Sequence, residues 1–280
     1  MKYLFLRHMG MNKPMITAHS GCEGTGIDTM DSIEKALIFG ANAVEIDIRM
    51  DPLGDLRISH DPLSLEDYLR KNPLADVFQR ILPTSILLNF DLKEEAALYK
   101  TINAAHDFGF PTERLIFSGC TTPVQLTNDP ELTRRASFFL NLEEVLKYVY
   151  AHRKEEFSRE VFTMLMEDPY IIFIDEGSPV PDVYLSEAGR IRQKIYAISR
   201  TLMEKIYEDT VRIYQETQAA AANLPKFLLR TSVVEKLKAG NIPLSVWTVN
   251  EPDLIQRCLD IGVFNITTRK VQLTRQILSS

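Results

Sequence analysis

The stretch VEIDIRMDPLGDLRISHD, residues 44–61, places acidic side chains inside a strand pattern. Side chains alternate across a strand, so Glu45 and Asp47 point to one side while the aliphatic residues between them point to the other. The segment DPLGD at 51–55 has the composition of a turn, after which the alternation resumes and ends at His60. The stretch therefore predicts an extended hairpin that carries two converging carboxylates and returns a histidine toward them.

Short aliphatic or β-branched runs alternate with longer helical patterns along the rest of the chain. This alternation is typical of βαβ units and predicts a parallel sheet. The first helix is predicted at Asp31–Phe39, with Asp31 and Glu34 in capping-box spacing and Gly40 as the end signal. Further helices are predicted at Glu94–Phe108 and Glu251–Ile261. The predicted strands, about eight in number, lie at residues 15–18, 43–49, 86–91, 115–118, 137–141, 219–223, 243–249 and 265–268.

Composition and charge exclude several classes of protein. The 280 residues suffice for a large core, and 45% hydrophobic with 25% charged residues is typical of a globular domain. The net charge is −6 and no basic run occurs, which argues against nucleic acid or a membrane surface as the partner. Three widely spaced cysteines favour neither a disulfide framework nor a cysteine zinc site. Arg7 and His8 interrupt the apolar N-terminal run, and no run is long enough to cross a bilayer, so we expect a cytoplasmic protein.

Residues 142–218 depart from the alternation because this segment is long, mostly helical in pattern, and too long for one βα unit. We therefore predict one barrel domain over residues 1–280 with a helical insertion before the sixth strand, at the edge of the substrate mouth. Apolar residues recur there at helical spacing, which favours a face packed on the body of the protein, and a dimer contact or a lid is the alternative. These residues are Ile195, Ile198, Leu202, Ile206 and Ile213.

Carboxylates recur at the end of a second predicted strand. In LLNFDLKE, residues 87–94, Asp91 ends an apolar strand and Lys93 follows on the same side if the strand continues. Inside a parallel barrel, Glu45 and Asp47 would repel each other unless a cation lay between them, and Asp91 would add a third oxygen ligand. Such ligands suit Mg²⁺ or Ca²⁺ better than zinc. The alternatives are that one acid pairs with a lysine or arginine of a neighbouring strand, and that Lys93 is a solvated first-turn lysine.

Two histidines lie at predicted strand ends near these acids. His19 occurs in AHSG, residues 18–21, after the first strand and before a glycine-bearing loop, and His60 ends the hairpin. Two histidines above three carboxylates are suited to moving protons on and off oxygen near neutral pH. A purely structural histidine that caps the barrel is the alternative for His19.

The order of these motifs resembles the glycerophosphodiester phosphodiesterase family. The resemblance rests on AHSG, GANAVEIDI, the glycine turn with ISHD, NFDLK, SVWTVN and GVFNITTR, and covers residues 16–93 and 223–269. It implies a (β/α)8 TIM barrel of the phospholipase C-like phosphodiesterase type, with one divalent cation, Mg²⁺ or Ca²⁺, at its carboxyl face. It further implies metal ligands at Glu45, Asp47 and Asp91, an acid–base pair at His19 and His60 with His60 as the acid, a phosphate-binding cation at Lys93, and Trp247 at the mouth. For Trp247, plain core packing is the alternative.

Three positions depart from the family pattern. Ser20 stands where the family usually has an arginine that holds the phosphate, and losing such a donor costs about 1.5 to 3 kcal/mol unless another cation replaces it. The segment Gly26-Ile-Asp-Thr29 lacks the family's glutamate, and Asp91 replaces the usual glutamate ligand. The Asp-x-Lys pattern also resembles the sphingomyelinase D and phospholipase D toxins of the same barrel superfamily.

The resemblance implies a metal-dependent phosphodiesterase that hydrolyses glycerophosphodiesters to glycerol phosphate and an alcohol. Water or the neighbouring glycerol hydroxyl would attack, the latter by way of a cyclic phosphate. The expected partner is a small-molecule glycerophosphodiester, without nucleic acid or stable membrane insertion, and a homo-oligomer is possible. Lysophospholipase D or sphingomyelinase D-like activity, and a barrel that binds a phosphorylated ligand without turnover, are the alternatives.

Overall fold

Eight parallel strands form a closed barrel at the centre of the computed structural model, which describes residues 13–129, 131–167, 172–177, 195–229 and 232–279. The first strand pairs with both the second and the last, so the sheet closes on itself and the predicted (β/α)8 TIM barrel is confirmed. The strands are β1 (Met15–Ala18), β2 (Ala43–Met50), β3 (Leu56–Ile58), β4 (Leu87–Leu92), β5 (Leu115–Gly119), β6 (Ser137–Asn141), β7 (Ile172–Asp175), β8 (Ile195–Ile198), β9 (Ala221–Pro225), β10 (Leu244–Trp247) and β11 (Asn265–Thr268). The barrel itself consists of β1, β2, β4, β5, β6, β9, β10 and β11.

Helices alternate with the barrel strands along the chain. They are α1 (Met30–Ile38), α2 (Leu74–Ile81), α3 (Ala97–Asp107), α4 (Pro123–Asn128), α5 (Leu132–Arg135), α6 (Leu142–His152), α7 (Arg159–Glu167), α8 (Arg200–Glu216), α9 (Ser232–Ala239), α10 (Pro252–Ile261) and α11 (Val271–Ser279). Single 3₁₀ turns occur at Cys22–Gly24, Tyr68–Arg70, Thr112–Arg114, Lys154–Glu156 and Lys226–Leu228. Among the described residues, no helix is both long and apolar enough to cross a bilayer.

The first helix begins earlier than its sequence pattern predicts. It starts at Met30, and Thr29 is the N-cap, accepting a hydrogen bond from the Ser32 backbone N–H at 3.3 Å. The prediction that Asp31 caps this helix was therefore wrong. An N-cap needs an extended backbone, which Thr29 has (φ −121°, ψ 153°), whereas Asp31 lies inside the first turn, where its charge favours the helix dipole.

The hairpin predicted from residues 44–61 is present. Strands β2 and β3 pair antiparallel, with Ile48 opposite Ile58. In the connecting turn, the Asp51 carboxylate accepts hydrogen bonds from two turn N–H groups, and Gly54 adopts a φ of 88° that few other residues tolerate. The Ser59 N–H then donates to the Asp47 carbonyl at 3.0 Å. This pairing brings the residue after Ser59 to the carboxyl end of the barrel.

Aromatic side chains fill the layer between the barrel and its helices. Phe90, Phe117 and Phe138 come from three adjacent strands, and their ring centroids lie 5.1 and 5.8 Å apart. Phe78 of α2 packs edge-on against Phe90 at 6.0 Å. Each fully buried ring stabilises the fold by about 1.5–3 kcal/mol. Because side chains alternate along β4, the outward direction of Phe90 turns Asp91 toward the barrel axis.

Residues 142–218 lie between the fifth and sixth barrel strands. Their described part contains α6, α7 and α8 and also a two-stranded parallel sheet of β7 and β8, which is not part of the barrel. In α8, Ile206 and Ile213 are buried against the main core and Leu202 is half-buried against it, as the helical spacing predicts. Ile195 and Ile198 instead lie in strand β8, so the helical pattern was wrong for these two residues. The role of this segment as an insertion at the substrate mouth stays a prediction.

Candidate active site

A cavity of about 650 Å³ opens at the carboxyl ends of the barrel strands. Each of its principal polar side chains follows or ends a strand, because in a parallel barrel all carboxyl ends meet at one face. The cavity brings together every site residue that the sequence predicts, from β1 to β10. These are His19, Glu45, Asp47, His60, Asp91, Lys93 and Trp247.

The three predicted metal ligands form one carboxylate cluster. Glu45, Asp47 and Asp91 offer oxygen atoms that all lie within 4.8 Å of one another, and Asp47 faces Asp91 across the parallel ladder. Burial raises the pKa of Glu45 well above its usual range, and the Asp91 charge adds to this effect. Burial and the Glu45 charge likewise raise the pKa of Asp47. Three carboxylates carry more negative charge than one neighbouring ammonium compensates, and their oxygen atoms are hard ligands, so the cluster fits a Mg²⁺ or Ca²⁺ ion.

Lys93 approaches two of these carboxylates. Its Nζ lies 2.7 Å from Asp47 Oδ1 and also contacts the Asp91 carboxylate. Burial opposes the charge on this ammonium, but the Asp91 and Asp47 charges outweigh it, so the pKa of Lys93 is raised. The alternative of acids paired with a lysine of a neighbouring strand is thus also present in the structure, and phosphate binding by Lys93 stays a prediction.

Gly119 provides the space in which Asp91 lies. This glycine ends β5 beside Asp91 and has a φ of 77°. A Cβ atom at this position would collide with the Asp91 carboxylate and with the Leu92 carbonyl. The adjacent Ser118 hydroxyl donates to Asp91 Oδ1 at 3.3 Å. A residue larger than glycine would therefore displace one of the carboxylates.

His19 is held in one tautomer by its backbone contact. Its Nδ1 lies 3.0 Å from the Ser20 carbonyl, which can only accept, so Nδ1 carries the proton and Nε2 is free to accept one. Glu45 Oε2 lies 3.8 Å from the same Nδ1. Burial lowers the pKa of His19, and the nearby charge of Arg269 lowers it further. The ring therefore favours the neutral form with an available base at Nε2.

His60 lies at the outer rim of the cavity. Its side chain is 61% exposed, and its Nδ1 is 2.9 Å from Asp61 Oδ1. Its backbone N–H donates to Asp28 Oδ2 at 2.7 Å. The carboxylate of Asp61 orients the ring, and Asp28 holds the backbone in place.

Ser20 and Asp28 connect the two histidines, a contact that sequence patterns do not reveal. The Ser20 hydroxyl donates to Asp28 Oδ1 at 2.9 Å and accepts from the Asp28 N–H at 2.7 Å. The Ser20 N–H donates to Glu45 Oε2 at 3.2 Å. Ser20 thus supports the first loop and, through Asp28, the backbone of His60. The sequence showed only that an acidic residue, Asp28, occurs in the glycine-bearing segment 21–28 after His19.

Arg269 contributes a guanidinium group that the sequence analysis did not select. Its backbone is held by Asn250, which accepts from the Arg269 N–H at 2.9 Å, and by the Glu23 N–H, which donates to the Arg269 carbonyl. Its Nε donates to the Ser20 carbonyl at 2.8 Å, the same oxygen that His19 contacts. Among the described residues, this guanidinium has no carboxylate partner, although it lines the cavity. The sequence signal that could have indicated Arg269 is the basic residue directly after the last strand, in Thr267-Thr268-Arg269.

Fold and site together define a (β/α)8 barrel with a carboxylate cluster and two histidines at its carboxyl face. No protein-family model matches the chain, and no curated protein does. Solved structures of similar fold include a glycerophosphodiester phosphodiesterase from Thermotoga maritima (17% identity, 95% of this chain and 99% of that chain, TM-score 0.62). Another glycerophosphodiester phosphodiesterase of similar fold comes from Parabacteroides distasonis (15% identity, 96% of this chain and 98% of that chain, TM-score 0.61). A phosphodiesterase from Oleispira antarctica in complex with the product sn-glycerol-3-phosphate is also similar in fold (16% identity, 100% of this chain and 99% of that chain, TM-score 0.57).

The chain therefore shares its barrel fold with solved structures of glycerophosphodiester phosphodiesterases. The chain spans nearly the full length of these structures. At such identities the likeness establishes the fold, and the chemistry depends on the residues of the cavity.

Proposed function

We propose that this protein is a divalent-cation-dependent phosphodiesterase that hydrolyses glycerophosphodiesters to glycerol phosphate and an alcohol. The observation that carries the proposal is the arrangement of a carboxylate cluster, two histidines and the Arg269 guanidinium, which has no carboxylate partner among the described residues, around one cavity. The solved structures of similar fold support it, since two are glycerophosphodiester phosphodiesterases and the third is a phosphodiesterase in complex with the product sn-glycerol-3-phosphate.

The carboxylates of Glu45, Asp47 and Asp91 are the proposed ligands of the cation. A phosphodiester is an anion that repels nucleophiles. Mg²⁺ or Ca²⁺ at this cluster would neutralise the non-bridging phosphate oxygens and the charge that grows in the transition state. The raised pKa values of Glu45 and Asp47 support this assignment, because such carboxyls ionise fully only when positive charge is supplied.

His19 and His60 are the proposed acid–base pair. His19 Nε2 accepts the proton of the attacking water as the new bond to phosphorus forms. If a glycerol hydroxyl attacks instead, the product of this step is a cyclic phosphate, and a water molecule then breaks one of its ring P–O bonds to give glycerol phosphate. His60 donates a proton to the alcohol oxygen as its bond to phosphorus breaks, and the Asp61 carboxylate stabilises the protonated ring. His19 suits the role of base because its Nδ1 proton is directed to the Ser20 carbonyl.

Arg269 is the proposed cation that binds the phosphate in place of the arginine absent at position 20. Lys93 is shared between the carboxylates of Asp47 and Asp91, and Ser20 carries no charge. The Arg269 Nε bond to the Ser20 carbonyl fixes the guanidinium plane, which leaves its terminal N–H groups for an anion near His19. A guanidinium that directly follows the last strand therefore compensates for the absence of charge at Ser20.

The experiment that tests the activity incubates the purified protein with glycerophosphocholine, glycerophosphoethanolamine and a lysophospholipid. Each reaction contains Mg²⁺ or Ca²⁺ and is repeated with excess chelator. We expect alcohol release from the two glycerophosphodiesters that ceases with chelation. Preferential cleavage of the lysophospholipid would instead support a lysophospholipase D, and binding without release would support a phospho-ligand-binding barrel.

A further inference from the structure

The ring of His60 faces the cavity from an exposed position at its rim. Its side chain is 61% exposed, and the Asp61 carboxylate that pairs with its Nδ1 belongs to a side chain 88% exposed. Exposed ion pairs contribute little to holding a side chain in one place, because water competes for both partners. The position of the ring therefore depends on how the backbone of residue 60 is held.

Two charged side chains hold the peptide groups of His60. Asp28 Oδ2 accepts a hydrogen bond from the His60 N–H at 2.7 Å, and Arg49 Nε donates to the His60 carbonyl at 2.8 Å. Hydrogen bonds to charged groups are stronger than those between neutral groups. Asp28 lies in the loop after β1 and Arg49 lies in β2, so the two anchors reach His60 from different barrel strands. Together they fix the backbone that carries the ring.

The Asp28 carboxylate is held in turn by the loop that carries His19. Its Oδ1 accepts from the Ser20 hydroxyl at 2.9 Å, and the Asp28 N–H donates to the same hydroxyl oxygen at 2.7 Å. The Ser20 carbonyl lies 3.0 Å from His19 Nδ1. One path of hydrogen bonds therefore sets where His60 lies relative to His19.

The backbone and the surroundings of Asp28 are both unfavourable unless its carboxylate is used. Its φ is 57°, in the left-handed region, which costs free energy for a residue with a Cβ atom, although aspartate tolerates it better than most. The residue is 7% exposed, and its carboxylate accepts hydrogen bonds from two neutral groups, the Ser20 hydroxyl and the His60 N–H. A buried carboxylate needs such contacts to offset its lost hydration. Both features indicate that the carboxylate serves these two contacts.

We propose that Asp28 and Arg49 are positioning residues that hold the ring of His60 over the leaving group of the phosphodiester. This inference rests on the proposed function, because it takes His60 as the acid that protonates the departing alcohol. A displacement of about 1 Å in a reacting group lowers a rate by about 100-fold. Loss of either anchor slows proton donation, whereas the groups proposed to bind the cation and the phosphate keep their contacts. We therefore expect kcat to fall while KM changes little.

The test compares two substrates whose leaving groups differ in their need for a proton. Choline leaves glycerophosphocholine as an alcohol and needs one, whereas p-nitrophenolate leaves the p-nitrophenyl ester of glycerol phosphate without one. Asp28→Gly removes the carboxylate and suits a left-handed backbone, and Arg49→Met removes the donor but keeps a long side chain. Each variant should lower kcat for glycerophosphocholine by about 10- to 100-fold and kcat for the p-nitrophenyl ester by less than about threefold.

Three further variants show whether the loss acts through His60. Asp28→Asn keeps an acceptor oxygen for the His60 N–H and should keep kcat for glycerophosphocholine within about threefold of wild type. In a His60→Ala background, Asp28→Gly should cause no further loss, because the ring that it positions is already absent. Asp107→Ala, on a side chain 80% exposed, is the matched control and should keep the wild-type kcat for both esters.

Hydrogen exchange of the His60 amide measures the anchor without turnover. Loss of a hydrogen bond to a charged acceptor should accelerate exchange of this N–H by at least about tenfold in Asp28→Gly. Asp28→Asn should keep most of the protection. The circular dichroism spectrum shows whether each variant is folded, and Arg49→Met provides the same comparison of the two esters if Asp28→Gly does not fold.

The outcomes separate failure of the inference from failure of the proposed function. If wild-type protein hydrolyses neither ester, or if His60→Ala keeps the wild-type kcat for glycerophosphocholine, the proposed function or its acid is overturned, and exchange of the His60 amide still decides whether Asp28 anchors this residue. Equal losses for both esters in Asp28→Gly, an equal loss in Asp28→Asn, a further loss in the His60→Ala background, or unchanged amide exchange overturns the positioning role alone.

Discussion

Replacement of Arg269 by glutamine tests the proposal that this guanidinium binds the phosphate in place of the arginine that is absent at position 20. The variant removes the positive charge but keeps a polar side chain of similar reach. The backbone anchors through Asn250 and Glu23 do not depend on the side chain, so the loop after β11 should stay in place. The change therefore isolates the guanidinium.

The structure sets the expected size of the effect. Arg269 Nε is already used by the Ser20 carbonyl, so only the terminal N–H groups are available to the phosphate. A hydrogen bond to a charged group contributes about 1.5–3 kcal/mol, and the half-buried position keeps the whole effect within that range. We therefore expect Arg269→Gln to weaken phosphate binding by about 10- to 150-fold. The phosphate affinity of Arg269→Lys should lie between those of wild-type protein and Arg269→Gln, because an ammonium keeps the positive charge but not the paired N–H donors of a guanidinium.

Calorimetric titration with inorganic phosphate and with sn-glycerol 3-phosphate measures this change, and kcat/KM for glycerophosphocholine should fall by a similar factor. Arg275→Gln is the matched control. The Arg275 side chain donates to the Gly40 carbonyl in the loop before β2, at the opposite end of the barrel. Equal phosphate affinity in wild-type protein and Arg269→Gln would refute the reasoning and assign the phosphate to Lys93.

Three further predictions concern the chemistry, the cation and the fold. His19→Ala and His60→Ala should each lower kcat by roughly 10²- to 10⁴-fold while the circular dichroism spectrum stays unchanged. His106→Ala, which alters an exposed side chain, is the control and should keep the wild-type kcat. Wild-type turnover in His19→Ala or His60→Ala contradicts the assignment. Mg²⁺ or Ca²⁺ should raise the Tm, because a cation at one hundred times its Kd adds about 2.7 kcal/mol to the free energy of unfolding. Chelator should reverse the increase, and an unchanged Tm argues against the cation site. Asp209→Asn should destabilise the protein by about 1–2 kcal/mol at neutral pH in denaturant titrations, through loss of the pair with Arg153. Burial opposes ionisation of Asp209, but its arginine hydrogen bonds lower the pKa, so this stability is present above the unfolded pKa and should disappear as pH falls through the folded one.

Local periodicity explains why much of this protein is readable from its sequence. The alternation around Glu45 and Asp47 predicts both the strand and the shared direction of the carboxylates, because side-chain direction in a strand depends only on the backbone repeat. The turn at 51–55 encodes its own geometry through Asp51 and Gly54. Strand ends of a parallel barrel converge by construction, so the predicted residues of β1, β2, β4 and β10 meet in one cavity.

Tertiary structure alone decided the contacts that tune the site. Arg269 meets the Ser20 carbonyl across 249 positions of the chain, and no local pattern predicts such a pair. Lys93 was expected to be free for phosphate, yet its distance to Asp47 follows from the register between two strands. The sequence by itself therefore determined that the predicted carboxylates and histidines face one cavity. Packing added cavity residues that no sequence pattern indicated, and it decided which charges are already neutralised and which remain available to a ligand, because charge compensation depends on neighbours in space and not along the chain.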